Sequence, residues 1–191
     1  MALGPDCVLL AAGGSTRMGR WKMLLPVEGQ PMVARCAGTA LRVCGRLIVV
    51  AGFRAQELEE LFRGWKRVEV TVNDGYREGM LSSVRCGFRL VRGERFFLAL
   101  GDMPLVAAAT YRQLLAFPAA EAVIPKYHGK KGHPLLLGRS VGERVLGAAA
   151  ACTLREVLAQ VPTLSVPVED PFILQDVDTP VDYRSAADPP S

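Results

Sequence analysis

Leu9-Leu10-Ala11-Ala12-Gly13-Gly14-Ser15-Thr16-Arg17-Met18-Gly19-Arg20-Trp21-Lys22 is the stretch from which the rest of this chain is read. It continues the apolar run Cys7-Val8-Leu9-Leu10, which predicts a buried first strand. The strand turns through two small residues and two glycines, where backbone can approach a ligand with no side chain in the way. Main-chain N–H groups of such a turn form a nest for anionic oxygens, and Arg17 and Lys22 supply the cations that a polyphosphate needs. The pattern points to a nucleoside triphosphate held at the end of strand one. Two better-known phosphate loops do not fit. Gly14 and Gly19 have the Walker A glycine spacing, but Arg20-Trp21 stand where Lys and a magnesium-holding hydroxyl belong. Gly13-Gly14 with Gly19 also misses the Gly-x-Gly-x-x-Gly spacing of dinucleotide sites. Taken alone, a tight loop with solvated cations is the competing reading.

Outward from this loop, strands are expected at 46–51, 68–72, 95–100, 122–125, 164–168 and 172–174. Helices are expected at 31–43, 55–62 and 110–117, and from the run Gly79-Met80-Leu81-Ser82-Ser83 onward. A turn falls at Glu28-Gly29, one or two helices lie within 141–160, and a short last helix follows Asp176-Val177-Asp178-Thr179-Pro180. Alternating strands and helices, with strands apolar almost throughout, predict an α/β fold. It is a doubly wound, mainly parallel, Rossmann-like sheet with helices on both faces. The 191 residues, half of them hydrophobic, suffice for one core. The expected organisation is a single domain over 1–186 and a loose tail over 187–191.

Composition excludes several function classes. The net charge of +4 is scattered rather than gathered into a basic stripe, which suits a small anionic substrate and not nucleic acid. Five cysteines, an odd number without a C-x-x-C pair, read as buried free thiols in a reducing compartment. There is neither a signal-peptide pattern nor an apolar run of membrane-spanning length, so a cytoplasmic protein without membrane contact is expected. The two histidines, His128 and His133, share one loop and have no nucleophile or metal-ligand companions. A hydrolytic triad and a zinc site are thereby disfavoured.

In doubly wound sheets, ligands bind beyond the carboxyl ends of the strands. The glycine-rich loop, Asn73, Asp102 and Asp178 each follow an expected strand, so one edge can gather them. Gly101-Asp102 places a carboxylate after a residue with no side chain. Magnesium commonly takes one or two carboxylates and completes its shell with phosphate and water. Asp178 is the natural second ligand and Asp176 its competitor. Helix capping competes for Asp102, Asp178 and the Ser82/Ser83 pair. With no nucleophile in view, the chemistry that remains is transfer between bound substrates, aligned and charge-stabilised by the protein.

Four motifs occur in order over roughly residues 6–183: Leu10-Ala11-Ala12-Gly13-x-Ser15-x-Arg17-Met18-Gly19-x-x-Lys22, Leu100-Gly101-Asp102-Met103-Pro104, Gly132-His133-Pro134, and Asp176-x-Asp178-Thr179-Pro180-x-Asp182-Tyr183. Together they resemble the MobA-like nucleotidyltransferases, and within them the molybdenum cofactor cytidylyltransferases of the MocA type. The resemblance implies transfer of CMP from CTP to the phosphate of molybdopterin-bound molybdenum cofactor, with release of pyrophosphate. It implies a nucleotide site of Leu10, Ala11, Ala12, Gly13, Gly14, Arg17, Lys22, Asn73, Ser82, Ser83, Gly101 and Asp102, with Arg17, Lys22 and Asp102 catalytic. Asp102 and Asp178 would hold Mg²⁺ or Mn²⁺. Met103, Pro104, Gly132, His133 and Pro134 would face the acceptor, and a molybdenum hydroxylase would receive the product.

Guanylyl members resemble Leu-Ala-Gly-Gly where this chain has Ala12, and a methyl there would narrow the base pocket against a purine. Gly79-Met80-Leu81-Ser82-Ser83 likewise differs from their Gly-Pro-Leu-Ala-Gly run. Many relatives carry Gly-Asp-x-Gly-Ala-Arg where this chain reads 147–155, with Arg155 keeping the cation. Three alternatives stay open on the residues: a GTP-dependent enzyme, a transferase for a sugar or alcohol phosphate, and a non-catalytic carrier of the finished cofactor.

Overall fold

The computed structural model describes residues 4–15, 18–118 and 120–187. An eight-stranded sheet forms its centre. β1 (Asp6–Leu10) lies in the middle, flanked in parallel by β4 (Arg46–Ala51) and β6 (Arg95–Leu100). β5 (Val68–Val72) adds to the outside of β4. Beyond β6 come β9 (Leu135–Gly138), antiparallel to both its neighbours, then β7 (Ala122–Tyr127) and β10 (Thr163–Pro167), with β8 (Lys130–Lys131) pairing β7. The sheet is mainly parallel, as the apolar strands predict. The antiparallel β9 has no signature in its own residues: Leu135-Leu136-Leu137 are buried on both faces like the parallel strands around them.

Side chains alternate across the sheet and divide the core in two. Cys7, Leu9, Leu47, Val49, Phe97 and Ala99 face α1 (Met32–Leu41), α2 (Ala55–Phe62) and α4 (Ala108–Leu115). Val8, Leu10, Ile48, Val50, Phe96 and Leu98 face α3 (Met80–Phe88), α5 (Arg139–Gly147) and α6 (Leu154–Leu158). Both faces are covered. The Glu28-Gly29 turn joins the small hairpin of β2 (Pro26–Val27) and β3 (Gln30–Pro31), both turn residues having positive φ.

One expected strand is absent. Residues 172–174 lie in a 3₁₀ turn, Pro171–Leu174. Pro171 lacks the N–H a ladder would need, and the Asp170 carboxylate accepts from Phe172 N at 3.1 Å, which caps the turn. Asp178 therefore follows this turn rather than a strand. The chain then enters α7 (Pro180–Ala187), which takes in Ala187, the first residue of the expected tail. Among the described residues no helix is long and apolar enough to cross a membrane.

Candidate active site

β1 connects toward β4 on one side and borders β6 on the other, so the strand order reverses between β1 and β6 and a crevice opens at their carboxyl ends. Backbone bonds carry the ladders one step past the strands. Ala11 N donates to Val50 O at 2.9 Å, Gly101 N to Leu10 O at 2.8 Å and Asn73 N to Ala51 O at 2.8 Å. The loops after β1, β5 and β6 thus leave the sheet from fixed positions. Gly101 is needed where it stands: a Cβ there would lie 3.0 Å from Leu10 O and 3.3 Å from both Ala11 Cβ and Met23 Sδ. Its successor Asp102 is carried directly to the crevice.

The glycine-rich loop closes back on itself around Trp21. The Trp21 indole donates to Gly13 O at 3.2 Å, meets Phe53 edge-on and carries the Arg54 guanidinium over its face. Lys22 N donates to Ser15 Oγ at 3.1 Å. These bonds aim the Lys22 side chain inward, and only 5% of the residue is exposed. Its Nζ lies 2.8 Å from Asp102 Oδ2 and 2.6 Å from Asp178 Oδ1. Asp178 reaches this point because Val177 N donates to Asp102 O at 2.9 Å, tying the 176–178 segment to the end of β6.

Neither aspartate is a helix cap. α4 begins without a side-chain cap, and the first turn of α7 is closed by Asp182, whose carboxylate accepts from Thr179 N at 2.7 Å. The competing capping reading thus falls for Asp102 and Asp178. Burial pulls the Lys22 pKa down, but Asp102 and Asp178 outweigh it and hold the ammonium above its ordinary value. Asp176 stands beside them, its carboxyl raised by burial and by the neighbouring Asp178 and Asp102 charges.

A cavity of about 360 Å³ opens over this cluster. Leu10, Ala12, Gly13, Lys22, Ser83, Asp102 and Asp178 line it, as sequence reasoning expects, together with Ser15, Tyr76, Gly79, Met80 and Asp176. Arg17 lies outside the described residues. Asn73 and Ser82 stand behind the wall instead. Both hydrogens of the Asn73 amide are committed, to Ser82 Oγ at 2.9 Å and Ser83 Oγ at 3.0 Å, and its Oδ1 accepts from Gly75 N at 3.1 Å. They hold the turn that brings Tyr76 and Gly79 to the cavity. No motif marks Tyr76. The nearest sequence signal is Gly52, where a Cβ would lie 2.8 Å from the Tyr76 ring and 2.9 Å from Ala12 Cβ.

A second cavity, of about 750 Å³, adjoins the first at Met80. Ile124, Leu135, Leu154 and Leu158 give it an apolar wall, Lys131 and Arg155 give it cations, and Gly132 and His133 also line it, His133 near enough to Asp102 to feel its charge. Burial drives the His133 imidazole down to about 4, against a weaker pull upward from Asp102, so the ring is neutral at pH 7. Met103, Pro104 and Pro134 are buried and are not among the residues lining either cavity, and Pro104 O accepts from Arg35 Nε at 2.9 Å.

Residues 7–165 match the family described as the MobA-like NTP transferase domain. The chain belongs to that family, and it is a nucleotidyltransferase. It is 33% identical, over 95% of its length and 94% of the relative's, to the molybdenum cofactor cytidylyltransferase of Escherichia coli (strain K12). Among solved structures it is similar to Rv0371c of Mycobacterium tuberculosis H37Rv, with 28% identity, 96% and 98% of the two chains covered, and a TM-score of 0.82. A complex of Rv0371C with manganese matches at 26% identity and a TM-score of 0.80, covering 97% of this chain and 98% of that one. The sequence reading of fold, family and enzyme class therefore holds.

Proposed function

We propose that this protein transfers CMP from CTP to the terminal phosphate of the molybdenum cofactor's pterin, giving the cytosine dinucleotide form and pyrophosphate. The observation that carries the reading is the meeting of Lys22, Asp102 and Asp178 at the reversal point of the sheet, within a cavity floored by the glycine-rich loop. Three residues brought together from remote parts of the chain gather one cation and two hard-oxygen donors at the cavity, the groups that a triphosphate and its metal require.

The donors also fit a divalent ion. Asp102 and Asp178 already converge on a single positive charge, and carboxylate oxygens with phosphate oxygens are the ligands that Mg²⁺ and Mn²⁺ prefer. Two carboxylates leave the rest of such an ion's shell to phosphate oxygens and water. When bound, it would neutralise charge on the phosphates. The base and ribose fit between Ala12, Tyr76 and Ser83, and the acceptor fits the second cavity, its anionic groups toward Lys131 and Arg155. An acceptor oxygen attacks the α-phosphorus in line as the bond to the β-phosphate breaks, and pyrophosphate leaves with the bonding pair. Lys22 donates to phosphate oxygens as charge shifts onto the leaving group.

The test is pyrophosphate release from CTP, GTP and ATP with magnesium, with and without molybdenum cofactor. Release is expected with CTP, only when cofactor is present. Asp102→Ala should lower it at least about 10²-fold, or roughly 3 kcal/mol of transition-state stabilisation. Release with GTP alone would overturn the nucleotide assignment. Silence with every nucleotide despite confirmed cofactor binding would favour a carrier that hands the cofactor to a molybdenum hydroxylase.

A further inference from the structure

We propose that Lys22 fills the divalent-cation position in the nucleotide-free protein, so that the metal enters only with a triphosphate that draws the ammonium away. This rests on the nucleotidyltransferase reading above. Lys22 Nζ sits 2.8 Å from Asp102 Oδ2 and 2.6 Å from Asp178 Oδ1, bridging the two carboxylates that would hold the metal. A divalent ion ligated by the same oxygens would lie within a few ångströms of Nζ, where two cations repel.

The three groups are largely withdrawn from solvent. The Lys22 side chain is 6% exposed, and the aspartates are 20% and 19% exposed with Asp176 beside them. Leaving carboxylates so crowded and half-buried without a counter-charge is costly. The cavity that Lys22 itself lines offers the ammonium other positions, and its four-carbon stem is flexible. A polyphosphate in that cavity offers Lys22 new partners and offers the metal further oxygens in one event. One residue thus serves as internal counter-ion before binding and as phosphate ligand after it, and bare metal is kept out.

Mn²⁺ titrated without nucleotide, with bound ion read from the loss of the free-Mn²⁺ EPR signal, tests this without any turnover. Lys22→Met is expected to gain one site at least about tenfold tighter than any in the wild type. Lys22→Arg keeps the charge and should exclude Mn²⁺ as the wild type does, and the double variant Lys22→Met/Asp178→Asn should lose the gained site. Wild-type protein that binds Mn²⁺ as tightly as Lys22→Met would overturn the proposal.

If Lys22→Met does not fold, melting of the wild type decides. Mn²⁺ alone should leave Tm unmoved, and Mn²⁺ with CTP should raise it by more than the two separate shifts combined. Simply additive shifts, with CTP bound, overturn the counter-ion role alone. Failure to bind CTP with or without Mn²⁺ overturns the nucleotide reading beneath it.

Discussion

Ala12 carries the proposed preference for CTP. It lines the first cavity and packs against the place where Gly52 and the Tyr76 ring meet. Ala12→Gly removes that methyl from the base end of the site. The expected outcome is a CTP-over-GTP ratio in kcat/KM that falls roughly tenfold, on the scale of one methylene-sized contact in a pocket. An unchanged ratio would remove Ala12 from the account of specificity. His133 makes a second residue-scale prediction. Its folded-state pKa of about 4 lies below the ordinary 6.5, so between these values the unfolded chain takes up a proton that the folded chain refuses. Stability therefore falls as pH drops through that window, by about 3 kcal/mol for this residue at its lower end. Urea melts at several pH values should show a shallower decline in His133→Asn, whatever its stability at pH 7.

At the scale of elements, α3 joins the core to the site. Its first turn carries Met80 and Ser83 to the cavity, and its last turn lies flat against the sheet at Gly87. A Cβ at Gly87 would come within 2.4 Å of Val8 Cγ1 and 2.8 Å of Val50 Cγ2, neither of which can swing aside. Gly87→Val should thus push α3 outward. We expect a loss of about 1–3 kcal/mol in urea unfolding, together with a raised KM for CTP, because the far end of the same helix lines the nucleotide cavity.

Element boundaries were legible wherever periodicity and punctuation agreed. The strands at 46–51, 68–72 and 95–100 and the helix at 55–62 stand where their patterns place them. The expected strand over 172–174 failed because a short apolar run satisfies strand and 3₁₀ turn alike. Asp170 and Pro171 decide between them through a cap and a missing donor. Asn73 illustrates a different limit. Its place after β5 was readable, but that its amide would be spent on Ser82 and Ser83 depended on how α3 packs.

For the molecule as a whole, ligand binding should appear as stability. CTP with Mg²⁺ at about a hundred times its Kd is expected to raise Tm by roughly 5–10 °C, read by differential scanning calorimetry. The last helix belongs to the same unit. Tyr183 donates to Pro26 O at 2.8 Å, and the Arg20 guanidinium lies over its ring, so the end of the fold is pinned to the rim of the glycine-rich loop.

The sequence by itself determined the class of fold, the enzyme family and the glycine-rich turn that floors the first cavity. Those depend on local matters: buried apolar strands, a turn with no side chains, and motifs in order. Only the tertiary structure decided the antiparallel β9, the second cavity beside Met80, and the ammonium of Lys22 held between Asp102 and Asp178. Strand direction and charge pairing across 156 residues arise from the packing of remote segments, and no residue's own pattern records them.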